Sequence, residues 1–129
     1  MADFKRAVLV NGVESSNGMV TIDAADPGFT LGVSVFETLR TYGGALFDVE
    51  SHVERLAASA FAMGLSEPPL DQIVDEMVQA ASRLGAEAMV RVTITFGGTR
   101  VVEARPIPET PDPFRCVTRE FVPPAWLDG

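Results

Sequence analysis

Val35-Phe36-Glu37-Thr38-Leu39-Arg40-Thr41-Tyr42 runs into Gly43-Gly44 and returns through Ala45-Leu46-Phe47. β-Branched and aromatic residues fill the run, and a glycine pair admits the turn, so it reads as a strand bent back on itself. The period then changes. Asp48 can cap a helix, and Val49, Val53, Leu56, Ala60 and Met63 recur at spacings of four and three as one apolar stripe. His52, Arg55 and Ser59 lie off that stripe, and Gly64 is a stop. A strand that leads into a one-sided helix needs a sheet for the helix to lie against.

The flanks agree. After Pro68-Pro69, the residues Leu70, Ile73, Val74, Met77, Val78, Ala81 and Leu84 give a second helix a broad apolar face, and Gly85 ends it. From Glu87 to Phe96 the chain alternates: Val90, Val92, Ile94 and Phe96 point one way, and Met89, Arg91, Thr93 and Thr95 the other. Gly97-Gly98 loops out. Towards the N-terminus, Ala7 to Val10 is a strand, Asn11-Gly12 suits a type I′ turn, and Val20-Thr21-Ile22 supplies a further strand. Asp26-Pro27-Gly28 breaks the chain and Gly32 allows a bend. The prolines at 106, 108, 111 and 113 predict an extended linker, and Cys116 to Val122 one more strand. The expected fold class is α+β, a largely antiparallel sheet covered by two amphipathic helices. The expected division is a lobe over 1–104 and a Pro-rich segment over 105–129 that begins a second lobe.

Composition narrows the function. With 129 residues, 47% of them hydrophobic, the chain can bury a core as one domain. A net charge of −8 with no Lys/Arg cluster argues against nucleic acid as a partner. The apolar run after Lys5-Arg6 is too short for a signal peptide, and no stretch reaches the roughly 20 apolar residues of a membrane span. Cys116 is the single cysteine, which fits a reducing cytoplasm. Lys5 is the only lysine, so any Schiff-base chemistry has one candidate.

Few residues announce chemistry by spacing. His52 and Cys116 are isolated, no metal-ligand pattern occurs, and Gly97-Gly98 lacks the Lys and Ser/Thr of a phosphate loop. No glycine-flanked serine partners the one histidine, which argues against a serine nucleophile.

What remains is an ordered set: Asn11-Gly12; then Asp26, Gly28, Phe29 and Gly32; then Phe36-Glu37-Thr38-Leu39-Arg40 and Tyr42; then His52-x-x-Arg55-Leu56 with Ser59-Ala60. Together, from about Val8 to Thr99, they resemble the N-terminal lobe of the fold-type IV pyridoxal-phosphate enzymes. That family is the class IV aminotransferases, with branched-chain and D-amino acid aminotransferases and aminodeoxychorismate lyase. The resemblance implies that Arg55 binds the phosphate of pyridoxal 5'-phosphate, a task suited to a planar guanidinium fork. It implies that Arg91 meets the substrate carboxylate and that Phe36 lines the substrate pocket. Each has a plainer reading: Arg55 paired with Glu50 or Glu54, Arg91 as a solvated strand residue, and Phe36 as core. Glu37 and Arg40 are expected to hold the strand in register or reach a dimer interface, and His52 to complete a structural hydrogen bond.

Some positions depart from the family. Phe96 stands where D-amino acid aminotransferases resemble Thr-Arg-Gly, and Met89 replaces the usual tyrosine of branched-chain enzymes. The Phe-Glu-Thr stretch is closest to aminodeoxychorismate lyase-like members. The family's Schiff-base lysine belongs to a second lobe, and Lys5 matches no such motif. The resemblance therefore implies a homodimeric enzyme acting on an amino acid or aminodeoxychorismate, of which these residues alone are a catalytically incomplete part. The alternative expectation is a stand-alone, non-catalytic binding or dimerisation module, against which stand the polar strand face and the aromatic Trp126 in the tail.

Overall fold

A computed structural model describes residues 6–122. Lys5 and Trp126 lie outside the described residues. β1 (Ala7–Val10) turns through Asn11 and Gly12, at φ of 49° and 84°, into β2 (Val13–Glu14). Positive φ at both positions is the type I′ requirement that Asn-Gly meets at least cost. β3 (Ser34–Tyr42) returns through Gly43-Gly44 into β4 (Ala45–Leu46), and β5 (Ala88–Thr95) and β6 (Arg100–Pro106) complete a six-stranded sheet. Its order is β2-β1-β6-β5-β3-β4, and every neighbouring pair is antiparallel. α2 (Val49–Ala62) and α3 (Leu70–Ser82) pack on the sheet, and a short helix, α1 (Pro27–Thr30), precedes β3. The α+β class and the helix-covered antiparallel sheet are as the sequence predicts.

The core lies between the sheet and the helix pair. Leu9, Val35, Leu39, Val90, Val92, Val102 and Ala104 come from the strands, and Leu56, Ala60, Ile73, Met77, Ala80 and Leu84 from α2, α3 and its exit. The apolar face of α3 is centred on Ile73, Met77, Ala80 and Ala81, and Val78, one residue round from Met77, is exposed rather than core. Glu76 is buried on this helix instead. Its Oε1 and Oε2 accept from Arg100 Nη2 and Nε at 2.6 and 2.8 Å, tying α3 to β6. Asn11 closes the same corner: its Oδ1 accepts from Arg100 N, and its own N–H donates to Arg100 O, each at 2.8 Å.

Four local expectations change. Val20–Ile22 forms no strand. Ser15 Oγ donates to Met19 O and Asn17 Oδ1 accepts from Met19 N, so the residue leading into the stretch is held in a side-chain-bonded turn. Cys116–Val122 also forms no strand, and residues 107–122 carry no helix or strand at all. The prolines before it remove donors that pairing needs. β6, by contrast, is central although its sequence does not announce it: only Val102 and Ala104 are buried, and Arg100, Glu103 and Arg105 mask the alternation. Asp48 does sit at the N-cap of α2, but its carboxylate accepts from Ser51 Oγ (2.8 Å) and caps no backbone N–H.

The Glu76–Arg100 pair generates a stability expectation. Removing one partner of a buried pair strands the other charge. Glu76→Ala is therefore expected to cost about 3 kcal/mol in urea unfolding, whereas Arg83→Ala, which breaks an exposed pair with Glu14, should cost less than about 1 kcal/mol.

Candidate functional site

The β3–β5 register decides which side chains meet. Phe36 is opposite Thr93, and Thr38 opposite Arg91. Since side chains alternate, Val35 and Leu39 enter the core under the helices while Phe36, Thr38 and Arg40 share the other face with Met89, Arg91 and Thr93. On that face the Arg91 guanidinium carbon lies 3.8 Å from the Phe36 ring centroid, a cation–π contact, and Arg91 Nε donates to Thr93 Oγ1 at 3.3 Å. Arg40 lies over Tyr42 in the same way, 4.0 Å from its centroid. Phe36 is exposed, not core.

Arg55 is elsewhere. It rises from α2 on the helix side of β3, where Glu37 projects between Val35 and Leu39. Its Nε donates to Glu37 Oε1 at 3.1 Å and its Nη2 to Oε2 at 2.8 Å. The pair is thus with Glu37, not with Glu50 or Glu54. His52, one turn earlier on α2, places Nδ1 2.8 Å from the same Oε2. With Nδ1 protonated, His52 donates to the carboxylate, and its 2.9 Å approach to Arg55 Nη2 is a contact between two donors sharing one acceptor. Burial works to raise the Glu37 pKa, but hydrogen bonds from Arg55 and His52 outweigh it and hold the carboxyl below its ordinary range. The Glu37 hydrogen bond in turn raises Arg55.

This arrangement suits an oxyanion. Among the described residues, the bonds from Arg55 leave through Nε and Nη2, so Nη1 has no protein acceptor, and the side chain is 57% exposed. β4 pairs with β3 only at Thr41 and Tyr42, so the strand edge beside Glu37 is not closed by a ladder. The groove of about 510 Å³ between α2 and α3 has the wrong sign for a phosphate, because Glu50, Glu54, Asp71 and Asp75 rim its Val49, Val53 and Val74 floor.

Asp26 is a junction that the sequence shows only as a chain break. Its Oδ1 accepts from Gly28 N at 2.7 Å and Gly97 N at 2.9 Å, and its Oδ2 from the Thr95 hydroxyl. Thr95 has the parity of Arg91 and Thr93, yet it is buried because α1 lies across it. A Cβ on Gly28 would sit 2.4 Å from Thr95 Cβ, and one on Gly97 2.5 Å from the Asp26 carboxyl carbon, so both approaches need glycine. α1 therefore ends the uncovered face, next to the row that carries Phe36. The signals were Gly28 and Gly97, but nothing in the sequence says that residues so far apart share one carboxylate.

Over residues 34–126 the chain matches the family model of amino-transferase class IV. It is 32% identical over 90 residues to the D-alanine aminotransferase of Bacillus licheniformis, covering 67% of this chain and 32% of that one. The D-alanine aminotransferase of Staphylococcus aureus strain MSSA476 is 27% identical over 119 residues, which are 88% of this chain and 41% of that one. Among solved structures, a hypothetical aminotransferase of Mycobacterium tuberculosis in its PLP-bound form superposes with a TM-score of 0.73 at 30% identity, over 81% of this chain and 41% of its own. A chain provisionally named 4-amino-4-deoxychorismate lyase gives a TM-score of 0.61 at 34% identity, over 77% and 41%. This chain spans between about a third and two-fifths of the length of these two curated relatives. Among the described residues no helix is long and apolar enough to cross a membrane.

The Asp26 junction predicts a pH effect. The Thr95 hydrogen bond does most to lower the Asp26 pKa, against burial and with help from Gly28 and Gly97. A carboxyl lowered on folding contributes stability that is complete above its unfolded value, about pH 4, and lost as pH falls through the folded value. Thr95→Val should therefore lower the urea midpoint at pH 7, and the gap to the parent should narrow as pH falls from 5 to 3. A gap that stayed constant over that range would show that Asp26 titration contributes nothing.

Proposed function

This chain belongs to the amino-transferase class IV family, and from that premise we propose that it is the N-terminal lobe of a pyridoxal 5'-phosphate enzyme. The reaction we assign to the full-length protein is amino transfer from an amino acid, or the lyase reaction on aminodeoxychorismate. The observation that carries the reading is Arg55: a guanidinium pinned along one edge by Glu37, with Nη1 open and exposed beside an uncapped strand. Such a fork supplies charge-assisted bonds to a phosphate and fixes its orientation.

Bound there, the cofactor would supply an electron sink for the substrate's α-carbon. Arg55 binds its phosphate. On the other side of β3, Arg91 receives the substrate carboxylate, and the Phe36 ring beneath it orients the cation and presents an apolar wall. α1, locked by Asp26, closes the end of this face and keeps the pocket floor from fraying. The amine-supplying lysine is assigned to a second lobe, since Lys5 precedes β1 and matches no lysine motif of the family. The reading includes a homodimer, a cytoplasmic location and a lobe boundary at the end of β6, two residues beyond the expected 104 because Arg105 and Pro106 still pair with β5. The single cysteine supports a reducing compartment. No nucleic-acid partner enters it, given the net charge of −8.

The curated relatives named above are D-alanine aminotransferases, while Phe96 departs from the arginine that such enzymes resemble at that position. Assay of the full-length protein for pyruvate release from aminodeoxychorismate and for amino transfer from D-alanine separates the two activities.

Two substitutions in the full-length protein test the site. Arg55→Ala should weaken pyridoxal phosphate binding about tenfold to a hundredfold while leaving pyridoxal, which lacks the phosphate, unchanged. Arg91→Ala should raise KM for the carboxylate substrate and leave cofactor affinity alone. Undiminished pyridoxal phosphate affinity in Arg55→Ala would falsify the assignment.

A further inference from the structure

We propose that Glu37 is the positioning residue of the phosphate grip, holding the Arg55 guanidinium so that Nη1, rather than the Nε edge, meets the phosphate. This rests on the reading of Arg55 given above. The expectation set beside the family resemblance gave Glu37 to strand register or a dimer interface, and neither use needs a carboxylate aimed at an arginine.

Three observations carry the inference. The first is geometric: Nε and Nη2 meet the two carboxylate oxygens at 3.1 and 2.8 Å, the fork-to-fork arrangement that fixes the guanidinium plane. The second is the rigidity of the anchor. Glu37 sits in the middle of β3, opposite Val92 on β5, and its neighbours of like parity, Val35 and Leu39, are buried. A half-exposed arginine on a flexible stem is thereby referred to the sheet rather than to solvent. The third is the prop behind it: the Glu37 side chain is only 15% exposed, and His52 Nδ1 lies on Oε2, so the carboxylate has little freedom of its own.

The sign of the effect separates positioning from charge. Glu37 is an anion close to where a phosphate dianion would lie, and Asp48 is a second acid acting on Arg55. By charge alone, removing Glu37 relieves repulsion and tightens phosphate binding. By positioning, removing it frees the guanidinium to rotate and weakens binding. Only the second outcome agrees with the proposal.

The test compares pyridoxal phosphate with pyridoxal as probes on the full-length apoprotein, by equilibrium binding, in Glu37→Gln, Glu37→Asp, Arg55→Ala and the Glu37→Gln/Arg55→Ala double variant. Glu37→Asp keeps the charge but withdraws the carboxylate by one methylene. Both Glu37 variants should weaken pyridoxal phosphate about tenfold and pyridoxal not at all, and Glu37→Gln should add nothing once Arg55 is alanine. Equal loss for both probes, including through a damaged fold, makes Glu37 a mere helix–strand tether and overturns the proposal. So does unchanged or tighter pyridoxal phosphate binding in Glu37→Gln, or an equal loss with and without Arg55. If Arg55→Ala alone leaves pyridoxal phosphate affinity intact, the phosphate assignment fails with it. Loss in Arg55→Ala with none in either Glu37 variant removes this inference only.

Discussion

The pairing of β3 with β5 is the constraint on which the rest depends. A strand has a side-chain period of two, so one choice of register sends Val35, Leu39, Val90, Val92 and Ile94 under the helices and leaves Phe36, Thr38, Arg91 and Thr93 on the uncovered face. A slip by one residue would bury Arg91 and expose Val92. The apolar burial on one side therefore guarantees the polar constellation on the other. Fold and site are fixed by the same hydrogen-bond ladder.

Carboxylates make the joints between elements. Asp26 ties α1 to the β5–β6 turn, Glu76 ties α3 to β6, and Glu37 ties α2 to β3. Glu87 joins the β3–β4 turn to the start of β5, accepting from the Thr41 hydroxyl and from Gly43 N. Its pKa is lowered mainly by the Thr41 bond. An ionised carboxylate accepts several hydrogen bonds at once, so one side chain can hold two or three donors of another segment against its own. The acidity of this chain is thus partly structural. Glu50, Glu54, Asp71 and Asp75 gather on the helix side around the α2–α3 groove, whereas Glu103 stands opposite Arg91 on the uncovered face.

The candidate site is divided by β3. Arg55 and Glu37 lie on the helix side of the strand and Phe36 and Arg91 on the other, so a cofactor gripped at its phosphate by the first pair would reach the second by passing the strand edge. That edge is free because β4 is only two residues long. The brevity of β4 follows from Asp48, whose left-handed conformation, φ 51°, turns the chain out of the sheet and into α2. A local backbone choice at one residue thereby leaves room at the site.

Periodicity and turn chemistry determined the α+β class, the two helices, the β3–β4 return and the Asn11-Gly12 hairpin, because each is a local pattern with a local cause. The ordered Phe-Glu and His-x-x-Arg-Leu motifs also carried the family resemblance without any coordinates. β6 stayed hidden because a central strand with charged residues on its outward face has no local signature; its place comes from the partners on both sides. The same holds for the site. The family resemblance named Arg55, Phe36 and Arg91, but the sequence gave no partner for Phe36 or Arg91 and offered Glu50 or Glu54 to Arg55. Only the tertiary structure put Glu37 on Arg55, Arg91 on Phe36 and Asp26 on Gly97, since those pairs are distant along the chain and meet only when strand register and helix packing are settled together.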